Sequence, residues 1–150
     1  MKCFAIAMLT FGAIFSVPVQ ALEHRETIDH PAAGPIAADY RGATAIATTQ
    51  TGTTGPGGRA TTLRCNWSVS LTVERTAIAG SGLQASRAMT RDGALKGSLP
   101  GWCSSSGKEI GRIVEARRAA LREAMMAMVA QDRAVILVEA DGAQKRAREG

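Results

Sequence analysis

The stretch Cys65-Asn-Trp-Ser-Val-Ser-Leu-Thr-Val-Glu74 alternates between apolar and polar residues without interruption. Its odd-numbered positions hold a cysteine, a tryptophan and three aliphatic residues, whereas every even-numbered position is polar. Successive side chains of a β-strand point to opposite faces, so this period of two predicts a strand. One face of that strand should lie in the core and the other in water.

The residues around this strand predict a small antiparallel sheet. Ala79-Gly-Ser-Gly82 has the composition of a turn, and residues 83–89 could return as a second, weaker strand. Upstream, residues 43–49 hold one isoleucine among alanines and threonines. Whether this segment joins the sheet as an edge strand stays open at this stage.

A long helix is predicted after the sheet. Ser106-Gly-Lys-Glu109 has the spacing of a capping box. Apolar residues then recur at helical spacing as far as Asp141-Gly142, which we interpret as the stop. Residues 134–138, Ala-Val-Ile-Leu-Val, also have the composition of a strand. Helix is favoured there, with a short separate strand as the alternative.

The ends of the chain carry different signals. Met1-Lys2, an apolar run and the small residues at Val19-Gln20-Ala21 predict a secretory signal peptide over residues 1–21. Residues 22–62 are dominated by Ala, Thr, Gly and Pro, and they include both histidines, His24 and His30. This composition predicts a disordered tether, because it offers little apolar surface to bury. Residues 142–150 are predicted to be a polar tail.

Cleavage after residue 21 would leave Cys65 and Cys103 as the two cysteines of an exported chain. An even pair that enters an oxidising compartment is expected to form a disulfide. The chain has 150 residues, which is the size of one domain. We therefore predict an α+β fold over residues 63–141, with a short antiparallel sheet, one long C-terminal helix and one disulfide.

The composition argues against several classes of function. The predicted folded region contains no histidine and no evident pair of catalytic carboxylates, so we expect no enzyme, cofactor or metal site. Aromatic residues make up only 4% of the chain, and the protein is predicted to be exported, which argues against nucleic-acid binding. Two weak alternatives are a pocket at Trp67 and Trp102, and Cu(I) binding by Met125 and Met128, which are ordinarily core residues.

A basic flank on the predicted helix suggests one kind of ligand. Lys108, Arg118, Arg122 and Arg133 fall on the same broad side, with Glu115 among them. Such a flank could bind an anionic lipid or glycan of the cell envelope, although solvated helix faces often look the same. The candidate ligand-binding residues are Lys108, Arg118 and Arg122.

Two charged residues lie in line with the apolar stripe of the helix. Arg117 and Asp132 are about 22 Å apart along a helix, so they cannot pair within it. In an antiparallel homodimer, Arg117 of one chain would meet Asp132 of the other. The predicted interface comprises Arg117, Leu121, Met125, Met128 and Asp132. The alternative is that both charged side chains extend to water at the edge of the core.

These observations predict an exported, periplasmic or secreted, non-catalytic protein that contacts an envelope protein or itself through its long helix. The mature form should not span a membrane. The alternative is a small periplasmic protein that binds an anionic envelope ligand through the basic flank. The sequence names neither the partner nor the pathway.

Overall fold

The computed structural model describes residues 22–57 and 61–150 of the chain. Within them, four β-strands precede two α-helices. The elements are β1 (Leu22–His30), β2 (Gly34–Thr51), β3 (Arg64–Ala79), β4 (Gln84–Pro100), α1 (Cys103–Ala116) and α2 (Arg118–Glu149). The predicted signal peptide, residues 1–21, lies outside the described residues.

The four strands form one antiparallel sheet in the order β1-β2-β3-β4, so each strand pairs with its neighbour in the chain. Short turns join β1 to β2 and β3 to β4. In the second turn Gly82 has a φ of +88°, a conformation that glycine adopts without steric cost. The sheet is therefore a meander whose contacts are largely between neighbouring segments.

The alternation in β3 is confirmed. Its odd-numbered residues from Cys65 to Ala79 are buried, whereas its even-numbered residues are exposed or half-buried. Both helices pack on the buried face, and the opposite face of the sheet has no covering element among the described residues. The α+β fold with its Cys65–Cys103 disulfide is as predicted, and the disulfide joins β3 to the first residue of α1.

The prediction of a disordered tether over residues 22–62 was wrong, because most of that segment forms β1 and β2. Its apolar residues are few, but they alternate: Ile36, Ala38, Tyr40 and Gly42 all lie on the buried face of β2. The average composition of residues 22–62 does not reveal this alternation. Pairing with β3 satisfies the backbone, and small residues on this face let α2 approach closely. The open question about residues 43–49 is answered, since they belong to β2.

Strand β4 is longer than the predicted segment 83–89, since it continues to Pro100. The Asp92-Gly93 pair, which suggested an interruption, instead forms part of a bulge. Leu71 pairs with Arg91 and Val69 pairs with Leu95, so residues 92–94 lie opposite Ser70 alone. The bulge accommodates residues 92–94, so β4 continues as one long edge strand.

The predicted single helix is divided at Arg117, where φ is −100° and ψ is 18°. On either side of this break, Val114 and Leu121 are both buried against the sheet. Residues 134–138 are helical, in agreement with the favoured prediction. The predicted boundary at residue 141 was wrong, because α2 continues to Glu149 and no polar tail follows from residue 142. The folded unit therefore extends well beyond the predicted range 63–141.

Candidate functional site

The most distinctive surface is an uncovered edge of β2. β1 has 9 residues and β2 has 18, and their pairing ends where Leu22 meets Gly42. Beyond that point, residues 43–51 pair with β3 on one side and with no described strand on the other. Alternate residues of a strand direct their backbone groups to opposite sides. Every second residue of this segment therefore presents its N–H and C=O groups to the uncovered side.

This edge, which we call the bare edge (residues 43–51), differs in composition from the two outer edges of the sheet. Its sequence is Ala-Thr-Ala-Ile-Ala-Thr-Thr-Gln-Thr, with no charged residue and no proline. The other edges carry the charges, bulges and prolines that block strand pairing. On β1 these are Glu23, His24, Arg25, Glu26, Asp29 and His30; on β4 they are Arg87, Arg91, Asp92, Lys96, Pro100 and the bulge at 92–94.

The bare edge ends beside an exposed tryptophan. The Gln50 side chain donates to the carbonyl of Gly101 at 3.1 Å and accepts from the N–H of Cys103 at 2.8 Å, so it brackets Trp102. Trp102 is 53% exposed, and Ile46 within the edge is 46% exposed. Two large apolar side chains thus accompany backbone groups that pair with no described strand, a combination that favours binding of an extended peptide.

A second polar cluster lies in the core, where α2 crosses the sheet. Arg75 of β3 donates two hydrogen bonds to Glu139, at 2.8 and 3.1 Å. Its Nε also lies 2.9 Å from Asp132 Oδ2, an ion pair without hydrogen-bond geometry. Asp132 accepts further hydrogen bonds from Tyr40 at 3.2 Å and from Arg87 at 3.1 Å. We call these five residues the ionic cluster; it joins β2, β3 and β4 to α2.

Burial shapes the electrostatics of the ionic cluster. The side chains of Arg75 and Asp132 are fully buried. Burial alone would lower the pKa of Arg75, but its hydrogen bonds with Glu139 and the nearby charge of Asp132 raise it overall. Burial and the adjacent carboxylate of Asp132 raise the pKa of Tyr40. These carboxylates and arginines therefore bind one another and hold α2 on the sheet.

The two histidines are not tail residues, as the sequence had suggested. His30 is buried at the turn between β1 and β2, where its Nδ1 accepts from the N–H groups of Ala32 and Ala33 at 3.2 and 3.0 Å. Its Nε2 then carries the proton and donates to Asp141 at 3.0 Å. This contact fastens the far end of α2 to the sheet. His24 is half-buried beside Tyr40, with ring centroids 6.2 Å apart.

Most residues of the predicted helix interface are buried within the chain itself. Leu121, Met125 and Met128 are buried against the sheet, and Asp132 belongs to the ionic cluster, whereas Arg117 is exposed at the helix break. The interpretation of Asp132 as the partner of Arg117 in a second chain was wrong, because Arg75 already occupies that carboxylate. The reason is that β2 and β3 supply polar partners that the helix pattern alone could not reveal.

The predicted basic flank lies on the surface but is spread along two helices. Lys108 is exposed on α1, and Arg122 is exposed on α2. Arg118 is half-buried and lies 3.4 Å from Glu115. Arg118 and Arg122 are neighbours one helical turn apart on α2, whereas Lys108 lies on α1, on the other side of the break at Arg117. Their use for an anionic ligand stays a prediction.

The remaining candidates are distributed as follows. Trp67 is buried over Gly97, and a shallow depression of about 370 Å³ borders Trp67 without reaching Trp102. Met125 and Met128 fill the core beneath α2. Residues 22–57 and 61–150 contain no group of three or more His, Cys, Asp or Glu side chains that could hold a metal ion. No helix in the same residues is long and apolar enough to cross a membrane.

Two features of the structure escaped the sequence analysis. The bare edge requires knowledge of which strand is shorter, and only the uncharged run of alanines and threonines at residues 43–51 hinted at it. For the ionic cluster, the available signal was Arg75, a charged residue that continues the alternating buried positions of β3 beyond Val73. A comparison of the chain with protein-family models, curated proteins and solved structures found no match.

Proposed function

We propose that the protein is an exported, non-catalytic interaction module of the cell envelope, which binds an extended polypeptide strand along the bare edge. The observation that carries this proposal is the contrast between the edges of the sheet. The outer edges of β1 and β4 bear charges, a bulge and a proline, whereas residues 43–51 bear none of these. An unprotected edge is a ready template for an added strand.

This proposal retains an interaction role but moves it from the long helix to the sheet. The apolar stripe of α2 packs on the sheet within the chain. The exposed side of α2 offers a single large apolar residue, Val138, which is 70% exposed. The bare edge combines backbone hydrogen-bonding groups with Ile46 and Trp102, so it offers both affinity and side-chain contacts.

The disulfide supports the exported location. Disulfides persist in oxidising compartments, and Cys65–Cys103 is formed here. Export through a signal peptide at residues 1–21 is part of the proposal. The non-catalytic role is supported by the state of the two carboxylates beneath α2: Asp132 and Glu139 are both bonded to arginines.

Site-specific crosslinking in exporting cells tests the proposal. A photoreactive amino acid would replace Ile46 on the bare edge in one variant and Val138 on α2 in another. Adducts would then be separated and identified by mass spectrometry. We expect a defined polypeptide adduct from position 46 that is lost when Ala47→Lys is added, since a lysine on an edge opposes strand pairing.

The two crosslinking positions separate the two surfaces. An adduct from position 138 with none from position 46 would overturn the proposal and favour the helix. An adduct from position 46 that persists with Ala47→Lys would also count against strand addition. Ala37→Lys is the matched control: Ala37 is exposed on the same face of β2, but β1 covers its edge there.

A second candidate function is binding of an anionic amphiphile, and one groove favours it. A groove of about 580 Å³ lies between β4 and α2. Its polar lining includes Arg87, Arg91, Gln131 and Asp132, and its apolar lining includes Met128 and Val135. The Asp132 carboxylate is already engaged by arginines of the ionic cluster. Arg91 forms no ion pair with another described residue, so it could receive a carboxylate or phosphate.

Binding of a fluorescent fatty acid would test this second candidate. We expect Arg91→Gln to weaken binding by about tenfold, because a charge-assisted hydrogen bond is lost. Lys108→Gln is the control, because Lys108 belongs to the predicted basic flank and does not line the groove. If Lys108→Gln weakened binding and Arg91→Gln did not, the flank and not the groove would be the site.

A further inference from the structure

We infer that the strand that fills the bare edge is the bare edge of a second copy of this chain, paired antiparallel about a two-fold axis at Ala47. This inference rests on the proposed function and names its partner. The dimer would join two four-stranded sheets into one continuous sheet through their β2 strands. Isologous two-fold dimers are the commonest assemblies of soluble proteins.

The geometry of β2 selects one register for this pairing. At one end of the bare edge, Leu22 of β1 occupies the place beside Gly42. At the other end the strand stops at Thr51, and the chain turns at Gly52, which has a φ of +85°. With Ala47 on the axis, residue 43 of each copy lies opposite residue 51 of the other. Each chain then turns away where the β1 strand of the other copy begins.

Charge also favours a second copy. Self-pairing about Ala47 brings the residues next to the axis, 46 to 48, close to their own symmetry mates, so a charge at any of them would meet a like charge. Residues 43–51 contain no charged residue, whereas β1, which has the same length, contains six titratable side chains, acidic and basic. Like charges directly opposite destabilise a strand pair. The bare edge is thus free of the repulsion that self-pairing would otherwise create.

The apolar side chains lie where the dimer would cover them. Ile46 would face Thr48 of the other copy, and the two Ile46 side chains would be diagonal neighbours across the axis, on the helix-covered side of the sheet. The two β3 strands would be about 14 Å apart, because two β2 strands lie between them. Since α1 packs on β2 and β3, the seam between the two α1 helices would enclose Ile46 and border Trp102.

A cysteine at the two-fold axis tests the register directly. In the full-length chain, recovered as exporting cells process it, Ala47→Cys would place two thiols directly opposite each other, with Cβ atoms about 5 Å apart. We expect this variant to form a covalent dimer on mild oxidation. Ala37→Cys is the matched control on the same face of β2, in the part paired with β1, and should stay monomeric on a non-reducing gel.

Light scattering over a range of concentrations measures the reversible, non-covalent association of two copies. We expect the unmodified protein to be dimeric at tens of micromolar. Ala47→Lys would place two lysines in direct opposition and should raise the dimer dissociation constant at least tenfold, whereas Ala37→Lys should leave it unchanged. Circular dichroism would verify that both lysine variants keep the native fold, as expected for substitutions at exposed positions.

The outcomes distinguish this inference from the proposed function. A monomer at every concentration, with no covalent dimer of Ala47→Cys, would overturn self-pairing. If position 46 then crosslinked to a different protein in cells, strand addition would stand with another partner. A dimer that formed equally with Ala47→Lys would use another surface, and self-pairing at the bare edge would be wrong.

Discussion

The two halves of the sheet are attached to the helical layer by different chemistry. Under α1 the contact is apolar and covalent: Trp67 and Val69 of β3 and Ile110 of α1 are buried in one core, and Cys65 is bonded to Cys103. Under α2 an apolar contact is combined with an ionic one, because the ionic cluster lies between three strands and the helix beside the buried apolar side chains of α2. Both halves bury apolar surface, but one adds a crosslink and the other adds directed polar contacts.

This difference bears on how each helix is positioned. Apolar packing is non-directional, so it resists sliding of α1 only weakly, and the disulfide fixes its start. The bidentate contact between Arg75 and Glu139 has a fixed geometry. We therefore expect the ionic cluster to set the register of α2, whereas apolar burial supplies most of the free energy in both halves.

The largest expected effect comes from removing the centre of the ionic cluster. Arg75→Met would remove both hydrogen bonds to Glu139 and the fully buried ion-pair partner of Asp132, which would keep only its hydrogen bonds from Tyr40 and Arg87. Loss of one member of a buried ion pair typically costs about 3–5 kcal/mol. We expect the free energy of unfolding, measured by urea denaturation, to fall by that amount.

The control for this variant is Arg41→Met on the outer face of β2. The Arg41 side chain is 78% exposed and only reaches Glu23 at 4.0 Å. Its loss should change stability by less than about 0.5 kcal/mol, as for most surface substitutions. If Arg75→Met were as mild as this control, apolar packing alone would hold α2, and the contrast between the two halves would fail.

The next effect concerns the covalent half. Reduction of Cys65–Cys103, which closes a loop with a sequence separation of 38, should lower the free energy of unfolding by about 2–4 kcal/mol. The contrast between the two halves predicts which helix becomes less protected. Hydrogen exchange should accelerate in α1, Cys103–Ala116, and change little in α2 near the ionic cluster. Equal acceleration in both helices would show that they form one cooperative unit.

The covalent half was largely accessible from the sequence. The period of two in residues 65–74 identified β3, and the pair of cysteines in a chain with a predicted signal peptide identified the disulfide. The first signal is a local sequence pattern, and the second comes from counting the cysteines. The helical stripe likewise predicted most of α1 and α2, including residues 134–138, although not the break at Arg117.

The ionic half and the bare edge were not accessible in the same way. β1 and β2 are rich in Ala, Thr and charged residues, so their average composition resembled that of a disordered segment. The partners of Asp132 come from strands far away in the sequence, and no spacing rule connects them. The bare edge depends on the difference in length between β1 and β2, which only the assembled sheet defines.

The smallest expected effect is a pH dependence at Tyr40. Its folded-state pKa is raised above the ordinary value of 10.0, first by burial and then by the charge of Asp132. A raised pKa means that the folded state favours the neutral phenol. The stability it contributes is therefore complete below pH 10 and declines as the pH rises above it, by about 1.4 kcal/mol for each unit.

Tyr40 is the only tyrosine of the chain, so its ionisation can be followed by the ultraviolet absorbance of the phenolate. We expect no phenolate signal as the folded protein passes through pH 10, and a signal that coincides with unfolding at higher pH. Urea-unfolded protein should titrate near pH 10 and is the control. A phenolate signal near pH 10 without loss of helical circular dichroism would show that water reaches Tyr40. In that case the ionic cluster would be open to solvent, and the α2 half would owe its stability to the apolar contacts that it shares with the α1 half.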